Sequence, residues 1–153
     1  MSLIWKPAVT VAAIIERDHR FLMIEEETPE GLRFNQPAGH LEAGESLEQA
    51  VIRETLEESA HDFTPTALIG TYLSHSDEQT YLRFAFTGEV GAALGLPLDS
   101  GIVRALWMSY HEILDCEHRH RSPLVLQCID DFLRGKRAPL SLLFTHPSAL
   151  GPK

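Results

Sequence analysis

Short apolar runs and polar breaks alternate along the chain, and they predict a succession of strands. The first two runs, at 8–16 (AVTVAAIIE) and 20–26 (RFLMIEE), are separated by the polar residues RDH. Their composition predicts two neighbouring strands joined by a tight turn. Two more strands are predicted at 66–75 and 79–90, and the stretch 102–114 is predicted to run from a strand into a short helix.

Two longer segments are predicted to be helices. The first covers 47–59, where Ser46 and the glutamine three residues later match a capping box. The second covers 122–136, with Ser122 as N-cap, Pro123 at the first helical position and Gly135 as the stop. Strands on both sides of helices in one chain predict a mixed sheet between helical layers.

The first helix carries three glutamates, Glu54, Glu57 and Glu58, on one side. At the angular spacing of an α-helix their carboxylates share an arc of roughly 100°. The same side of the helix is apolar one or two turns earlier, which is not the pattern of a wholly solvated face. We therefore expect the carboxylates to point into a cleft.

This concentration of negative charge is unfavourable in the absence of a cation. Like charges three or four residues apart cost roughly 0.2–0.5 kcal/mol per pair, and the last turn of a helix favours cations over anions. A divalent cation would reverse both effects, and hard carboxylate oxygens favour Mg²⁺, with Mn²⁺ as a substitute. The alternative from these glutamates alone is a solvated acidic helix without a ligand.

Length and charge limit the possible functions. The 153 residues fit one domain, 1–153, and the formal net charge is −9. An acidic chain is not expected to bind nucleic acid polymers or an anionic membrane. The apolar run near the start is too short to span a bilayer and lacks a cleavage site, so we expect a cytoplasmic protein. Cys116 and Cys128 lack a CxxC spacing and are expected to be free thiols.

The spacing of charged residues at about 39–61 is specific. Gly39 is followed after five residues by Glu45, and after seven more by the segment 53–60 (RETLEESA). This pattern resembles the Nudix box of the Nudix hydrolases, G-x5-E-x7-R-E-U-x-E-E-x-G-U, in which U is aliphatic. The first glycine and every charged position match. Three other positions differ, with a threonine, an alanine and a histidine at 55, 60 and 61.

The resemblance extends beyond the box. The segments FNQPAGHLEAGE, YLRFAF, ALWMSYHEIL and RSPLV are similar to the NudJ-type phosphatases of this family. The implied fold is the Nudix α/β/α sandwich, with a mixed β-sheet and the box as a loop-helix-loop catalytic motif. The implied activity is Mg²⁺-dependent removal of terminal phosphate from nucleoside tri- and diphosphates, or hydrolysis of hydroxymethylpyrimidine pyrophosphate and thiamine pyrophosphate.

Two alternatives remain open at this stage. One is another Nudix specificity, for ADP-ribose or a dinucleotide polyphosphate, and the other is a noncatalytic Nudix-like module that binds a ligand. In every case the expected partner is a small phosphorylated molecule. The chain is expected to be a monomer or a homodimer.

The resemblance also assigns roles to residues of the box. The implied metal ligands are the backbone carbonyl of Gly39 and the carboxylates of Glu54, Glu57 and Glu58. These glutamates are also the implied catalytic residues, and Glu54 or Glu58 would accept the proton of the attacking water. Glu45 and Arg53 are expected to form an ion pair that holds loop against helix.

Outside the box the sequence offers weaker candidates. Arg33, His40 and Arg83 are candidate contacts for substrate phosphate, and Arg121 is placed to reach the same pocket. Candidate general bases in loops are Glu78, Glu89 and Asp99. Phe34 and Trp107 are expected to be core residues and not platforms for a base.

Overall fold

The structure, a computed structural model, describes residues 3–153. Its strands are β1 Ala8–Ile14, β2 Glu16–Arg17, β3 Arg20–Thr28, β4 Gly31–Asn35, β5 Ala38–His40, β6 Phe63–Ser76, β7 Gln79–Val90 and β8 Ile102–Ser109. Its α-helices are α1 Leu47–Ser59, α2 Tyr110–Asp115 and α3 Leu124–Leu133. Short 3₁₀ helices cover Glu117–Arg119, Leu140–Leu142 and Pro147–Ala149.

The strands form two sheets. The first is mixed, with the order β5–β1–β7–β6, in which β1 and β7 are parallel and the outer pairs are antiparallel. The second is antiparallel around β3, with β8 on one edge and both β2 and β4 on the other. The predicted mixed sheet is confirmed, and the second sheet is an addition to it.

The two N-terminal runs are strands, but the prediction that they are neighbours in one hairpin is wrong. β1 lies in the mixed sheet, whereas β3 is the centre of the second sheet. The hairpin is instead formed by β2 and β3, and its two-residue turn has Asp18 and His19 at φ 52° and 63°. Positive φ at both central residues matches the twist of a tight hairpin. β1 pairs elsewhere because residues 11–15 are buried and require a central position.

Two clusters of buried side chains lie on opposite sides of the mixed sheet. Alternate residues of β1 supply both, with Val11 and Ala13 on one side and Ile14 on the other. The first cluster is covered by α1 through Ala50 and Val51, among others. The second is covered by α2 and α3, with members Ile113, Val125, Cys128 and Ile129. The arrangement is the expected α/β/α sandwich.

Both ends of α1 are well defined. The Ser46 hydroxyl accepts a hydrogen bond from the Gln49 N–H at 3.1 Å, and the Gln49 side chain accepts one from the Ser46 N–H at 2.8 Å, so the capping box is formed. The helix ends at Ala60, which has φ 56° and ψ 35°. A left-handed conformation costs an alanine roughly 1–2 kcal/mol. Nearby tertiary contacts therefore hold Ala60 in the conformation for which glycine is usual.

The C-terminal half differs from the sequence prediction in detail. α3 begins at Leu124, two residues later than expected, although the Ser122 hydroxyl still accepts a hydrogen bond from the Leu124 N–H at 3.2 Å. Gly135 follows the helix with φ 81°, as expected for a stop.

Cys116 and Cys128 are free thiols. Within 3–153, the structure has no helix with the length and apolar character that a bilayer crossing needs.

The capping box makes a testable contribution to stability. Replacing Ser46 with alanine removes the acceptor for the Gln49 N–H, and we expect the free energy of unfolding to fall by about 1 kcal/mol. Urea unfolding followed by circular dichroism measures this. Ser100→Ala is the control, because Ser100 is exposed and makes no side-chain hydrogen bond within the described residues. Equal stability of the Ser46 variant and the wild type would contradict the role given to the cap.

Candidate active site

Gly39 allows the carboxylate of Glu54 to lie against the backbone of β5. A Cβ atom built at position 39 would overlap the carboxylate carbon and both carboxylate oxygens of Glu54. The position of this backbone is fixed by sheet pairing, since Gly39 lies opposite Val11 of β1. The fold therefore brings one strand of the mixed sheet and one helical carboxylate into direct contact, and only glycine leaves the required space.

Arg53 is the cation around which the nearby carboxylates are arranged. Its guanidinium donates to Glu45 through Nε at 3.0 Å and Nη2 at 2.7 Å, as expected for an ion pair between loop and helix. Nη1 donates to Glu54 at 2.8 Å and to Glu57 at 3.2 Å. Nη2 also donates to the backbone carbonyl of His40 at 3.0 Å. The hydrogen bond from Arg53 holds the pKa of Glu45 below its ordinary value.

Glu58 is the most enclosed of the three helical glutamates. One of its oxygens accepts a hydrogen bond from the Ala38 N–H at 2.8 Å. Burial raises the pKa of Glu58 from 4.5 to about 8, and the neighbouring charges of Glu54, Glu26 and Asp99 add to the effect of burial. Its negative charge is therefore poorly compensated by the surrounding protein.

The other two helical glutamates differ in exposure. The Glu54 side chain is 12% exposed and that of Glu57 is 37% exposed. Burial raises the pKa of both carboxyl groups, although Arg53 opposes the shift. Arg53 thus compensates the negative charges of Glu54 and Glu57 only in part.

The donor chemistry fits a hard divalent cation. Within residues 3–153 no set of three or more His, Cys, Asp or Glu side chains converges on one metal position, because Arg53 holds Glu54 and Glu57. Glu54 and Glu58 nevertheless offer buried carboxylate oxygens beside the β5 backbone, and oxygen donors of this kind suit Mg²⁺ or Mn²⁺. A cation there would favour the charged carboxylates that burial disfavours.

A cleft with a volume of about 770 Å³ opens from these carboxylates. Residues of both sheets, of α1 and of the segment before α3 line it. Glu54 and Glu58 lie on its wall, as predicted from the helical periodicity, whereas Glu57 does not. The cleft also contains three arginines, namely Arg33, Arg83 and Arg121.

Arg83 is the most buried cation of the cleft. Strand register places it in one row with Thr10 of β1 and His40 of β5, and all three residues line the cleft. Arg83 is 6% exposed, and its guanidinium donates to the side-chain oxygens of Gln36 at 3.1 Å and Asn35 at 3.2 Å. Both acceptors are neutral. In the described part of the chain no carboxylate lies within 4 Å of this guanidinium.

The other two candidate phosphate contacts line the same cleft. Arg33 is half-buried and its Nη1 donates to the carbonyl of Leu32 at 3.0 Å. His40 is exposed, and its ring centroid is 6.3 Å from that of Tyr81. The structure thus brings Arg83 into the same cleft as Arg33 and His40, which precede it by more than forty residues.

The three candidate general bases are separated by the fold. The Asp99 N–H donates to the Glu57 carbonyl at 2.9 Å, so Asp99 lies next to the helical carboxylates. Glu78 is exposed in the turn between β6 and β7, and Glu89 is exposed on β7. None of the three lines the cleft. Phe34 and Trp107 do not line it either, and Phe34 is buried in the core.

Glu26 lines the cleft but was not among the sequence candidates. It is the middle residue of a Glu-Glu-Glu run at the end of β3, which locally resembles a solvated strand end. Alternation along the strand gave no signal, because residues 21–24 are apolar and buried on both faces.

The raised pKa of Glu58 predicts how metal-free stability depends on pH. A carboxyl group whose folded pKa exceeds its unfolded value stabilises the fold at low pH and loses that contribution as pH rises through the folded value. In EDTA, Glu58→Gln should therefore have a higher melting temperature than the wild type at pH 9, and the difference should shrink at pH 5. Thermal unfolding at both pH values measures it.

The exposed Glu27 of β3 provides the control, and Glu27→Gln should have the same melting temperature as the wild type at both pH values. If Glu58→Gln were less stable than the wild type at pH 9, Glu58 would not be an under-compensated charge.

Comparison with known proteins agrees with this geometry. The family model described as NUDIX domain matches residues 5–128. Phosphatase NudJ of Escherichia coli strain K12 is 37% identical over 151 residues, covering 96% of this chain and 98% of that protein. The protein of the same name from Shigella flexneri matches to the same extent.

Solved structures share the fold. A NUDIX hydrolase from Nitrosomonas europaea has a TM-score of 0.89 and 50% identity, covering 93% of this chain and 99% of that one. A bifunctional NMN adenylyltransferase/ADP ribose pyrophosphatase from Francisella tularensis, complexed with AMP and a Mn ion, has a TM-score of 0.66 at 21% identity. It covers 88% of this chain and 43% of that one, and it supports the fold alone. The chain therefore belongs to the Nudix hydrolase family.

Proposed function

We propose that this Nudix hydrolase is Mg²⁺-dependent and removes the terminal phosphate of nucleoside tri- and diphosphates, or hydrolyses hydroxymethylpyrimidine pyrophosphate and thiamine pyrophosphate. The observation that carries the proposal is a single cleft with buried carboxylates and a buried arginine, Arg83, that has only neutral partners. A polyphosphate needs positive charge on several sides, which a metal ion and arginines supply. The similarity to Phosphatase NudJ over nearly the whole chain supports a phosphatase specificity.

The metal ligands in this proposal are the carbonyl of Gly39 and the carboxylates of Glu54, Glu57 and Glu58. A bound Mg²⁺ or Mn²⁺ ion would neutralise phosphate oxygens and make water a better nucleophile. For Glu54 and Glu57 to bind it, their oxygens would have to leave Arg53, which would keep its two contacts with Glu45. In the metal-free protein Arg53 holds these carboxylates together.

The remaining chemistry belongs to the cleft residues. Glu54 or Glu58 accepts the proton of the attacking water, since both face the cleft. Arg33, His40 and Arg83 contact phosphate oxygens, and the planar guanidinium of an arginine can bind two oxygens at once. Substrates of this kind are small molecules, which fit the volume of the cleft.

A direct test is to assay the purified protein with Mg²⁺ on nucleoside tri- and diphosphates and on the two thiamine-pathway pyrophosphates. The expected result is turnover that EDTA abolishes and Mn²⁺ partly restores. Release of orthophosphate from a nucleotide indicates cleavage of the terminal phosphate. Cleavage of ADP-ribose or a dinucleotide polyphosphate into two phosphorylated products would favour the other Nudix specificity. Folded protein without turnover on any of these substrates would contradict the proposal.

Glu57→Gln tests the metal assignment. The substitution keeps the size of the side chain but removes a charged oxygen ligand, and we expect kcat/KM to fall by about 100-fold or more, with the fold intact. Circular dichroism and the Mg²⁺ dependence of the rate are measured together. Glu27→Gln removes the same charge from an exposed position outside the cleft and should retain full activity. Most of the activity remaining in Glu57→Gln would remove Glu57 from the ligand set.

Gly39→Ala tests the contact between β5 and α1. The added methyl group would displace the Glu54 carboxylate, so the apparent affinity for Mg²⁺ and kcat/KM should both fall by about 10-fold or more. Mg²⁺ titration of the hydrolysis rate measures this. Gly91→Ala is a matched control, because an added Cβ atom there would have no heavy atom within 4 Å. An unchanged Mg²⁺ dependence in Gly39→Ala would show that Glu54 does not need this position.

A further inference from the structure

Glu26 is a carboxylate of the cleft to which the proposed reaction gives no role. The glutamates on either side of it in the sequence do not line the cleft. Glu25 is buried, and it accepts hydrogen bonds from Arg104 at 2.9 Å and Arg119 at 2.5 Å. Glu27 is exposed. Glu26 instead lines the cleft.

All three arginines of the cleft lie around Glu26. Arg33 is its direct partner in the pairing of β3 with β4. The Nε atom of Arg121 lies 3.7 Å from its carboxylate. Arg83 donates a hydrogen bond to Asn35, and the charge of Arg83 lowers the pKa of Glu26 against the effect of burial. We refer to Arg33, Arg83 and Arg121 as the arginine cluster.

Glu26 neutralises this cluster only in part. Its contact with Arg121 is longer than a hydrogen bond, and the Arg121 side chain is 47% exposed. Burial raises the pKa of Glu26, although the charges of Arg121 and Arg83 oppose it. The carboxylate is therefore weakly held, and an incoming phosphate group competes with it for the same cations.

We propose that Glu26 is a specificity-determining residue, which weakens the binding of phosphate groups at the arginine cluster and so disfavours substrates with an additional phosphate. The proposal rests on the proposed function for the position of the substrate in the cleft. The part of this proposal that concerns anion binding does not require the protein to hydrolyse a substrate. The opposite role, in which Glu26 orients the arginines for phosphate, predicts weaker binding when Glu26 is neutralised.

Binding of inorganic pyrophosphate to the metal-free protein separates these two roles. In EDTA and low salt, isothermal titration calorimetry of Glu26→Gln should show binding about twofold to fivefold tighter than that of the wild type, the range expected for a partly solvated charge pair. The gain should shrink in high salt, since screening weakens exposed charges. Glu27→Gln is the control and should bind as the wild type does. Equal or weaker binding by Glu26→Gln would overturn the proposal.

Arg121→Gln provides a second variant at an exposed position, and it tests the anion site on which the proposal rests even if Glu26→Gln fails to fold. Removing this cation should weaken pyrophosphate binding, because Arg121 belongs to the cluster that Glu26 opposes. Unchanged binding by Arg121→Gln would contradict the existence of the cluster as an anion site.

Activity with Mg²⁺ gives an independent readout. For one nucleoside, the ratio of kcat/KM for the triphosphate to kcat/KM for the diphosphate should rise about twofold to fivefold in Glu26→Gln, mainly through KM. A large loss of kcat with both substrates would instead make Glu26 a proton-transfer residue and overturn the proposal. If the wild type hydrolyses neither nucleotide, the nucleotide specificity of the proposed function fails, and the metal-free titration still decides the role of Glu26.

Discussion

Carboxylates that are withdrawn from water require a compensating positive charge, and this requirement organises the site. Glu54 and Glu58 are both 9% exposed, and burial raises the pKa of each. Moving a charge out of water is costly unless a partner offsets it. Arg53 supplies part of the compensation for Glu54, and a single backbone N–H supplies part of it for Glu58. A divalent cation would supply the positive charge that is still missing.

The same reasoning applies, with the sign reversed, to Arg83, which lines the same cleft. Arg83 is buried among the neutral side chains of Asn35 and Gln36, so its charge also lacks a close partner. A ligand that carries both negative phosphate oxygens and bound cations would compensate the carboxylates and the arginine at once. This complementarity explains why an acidic protein of net charge −9 can bind an anionic substrate. The role proposed for Glu26 follows from the same balance of charge, since a carboxylate beside the arginine cluster reduces the attraction of the cluster for additional negative charge.

Local sequence patterns predicted much of α1. The bounds 47–59, the capping box of Ser46 and the inward orientation of Glu54 and Glu58 all follow from helical periodicity and short-range hydrogen bonding, and the structure agrees. Ala60 stands where the Nudix box has a glycine, and it adopts the left-handed conformation at the end of the helix. These features depend on residues within a few positions of each other.

Features that depend on distant residues were not predicted. β1 and β3 lie in different sheets because β1 is buried on both faces and therefore takes a central position in the mixed sheet. Local composition does not reveal which strands will pair with it. The neutral partners of Arg83 come from positions 35 and 36, and Arg53 reaches Glu54 and Glu57 as well as Glu45. Glu26 was overlooked because three consecutive glutamates resemble a solvated segment, whereas only the pairing of β3 with β4 shows what surrounds the middle one.

Crystals of the protein soaked in Mn²⁺ provide the most direct measurement of the central claim, because anomalous diffraction locates manganese without assumptions about activity. The account predicts a peak within bonding distance of the Glu54, Glu57 and Glu58 carboxylates and the Gly39 carbonyl, with Arg53 still bound to Glu45. A cleft without a peak at these oxygens, in crystals that have taken up Mn²⁺ elsewhere, would contradict the account.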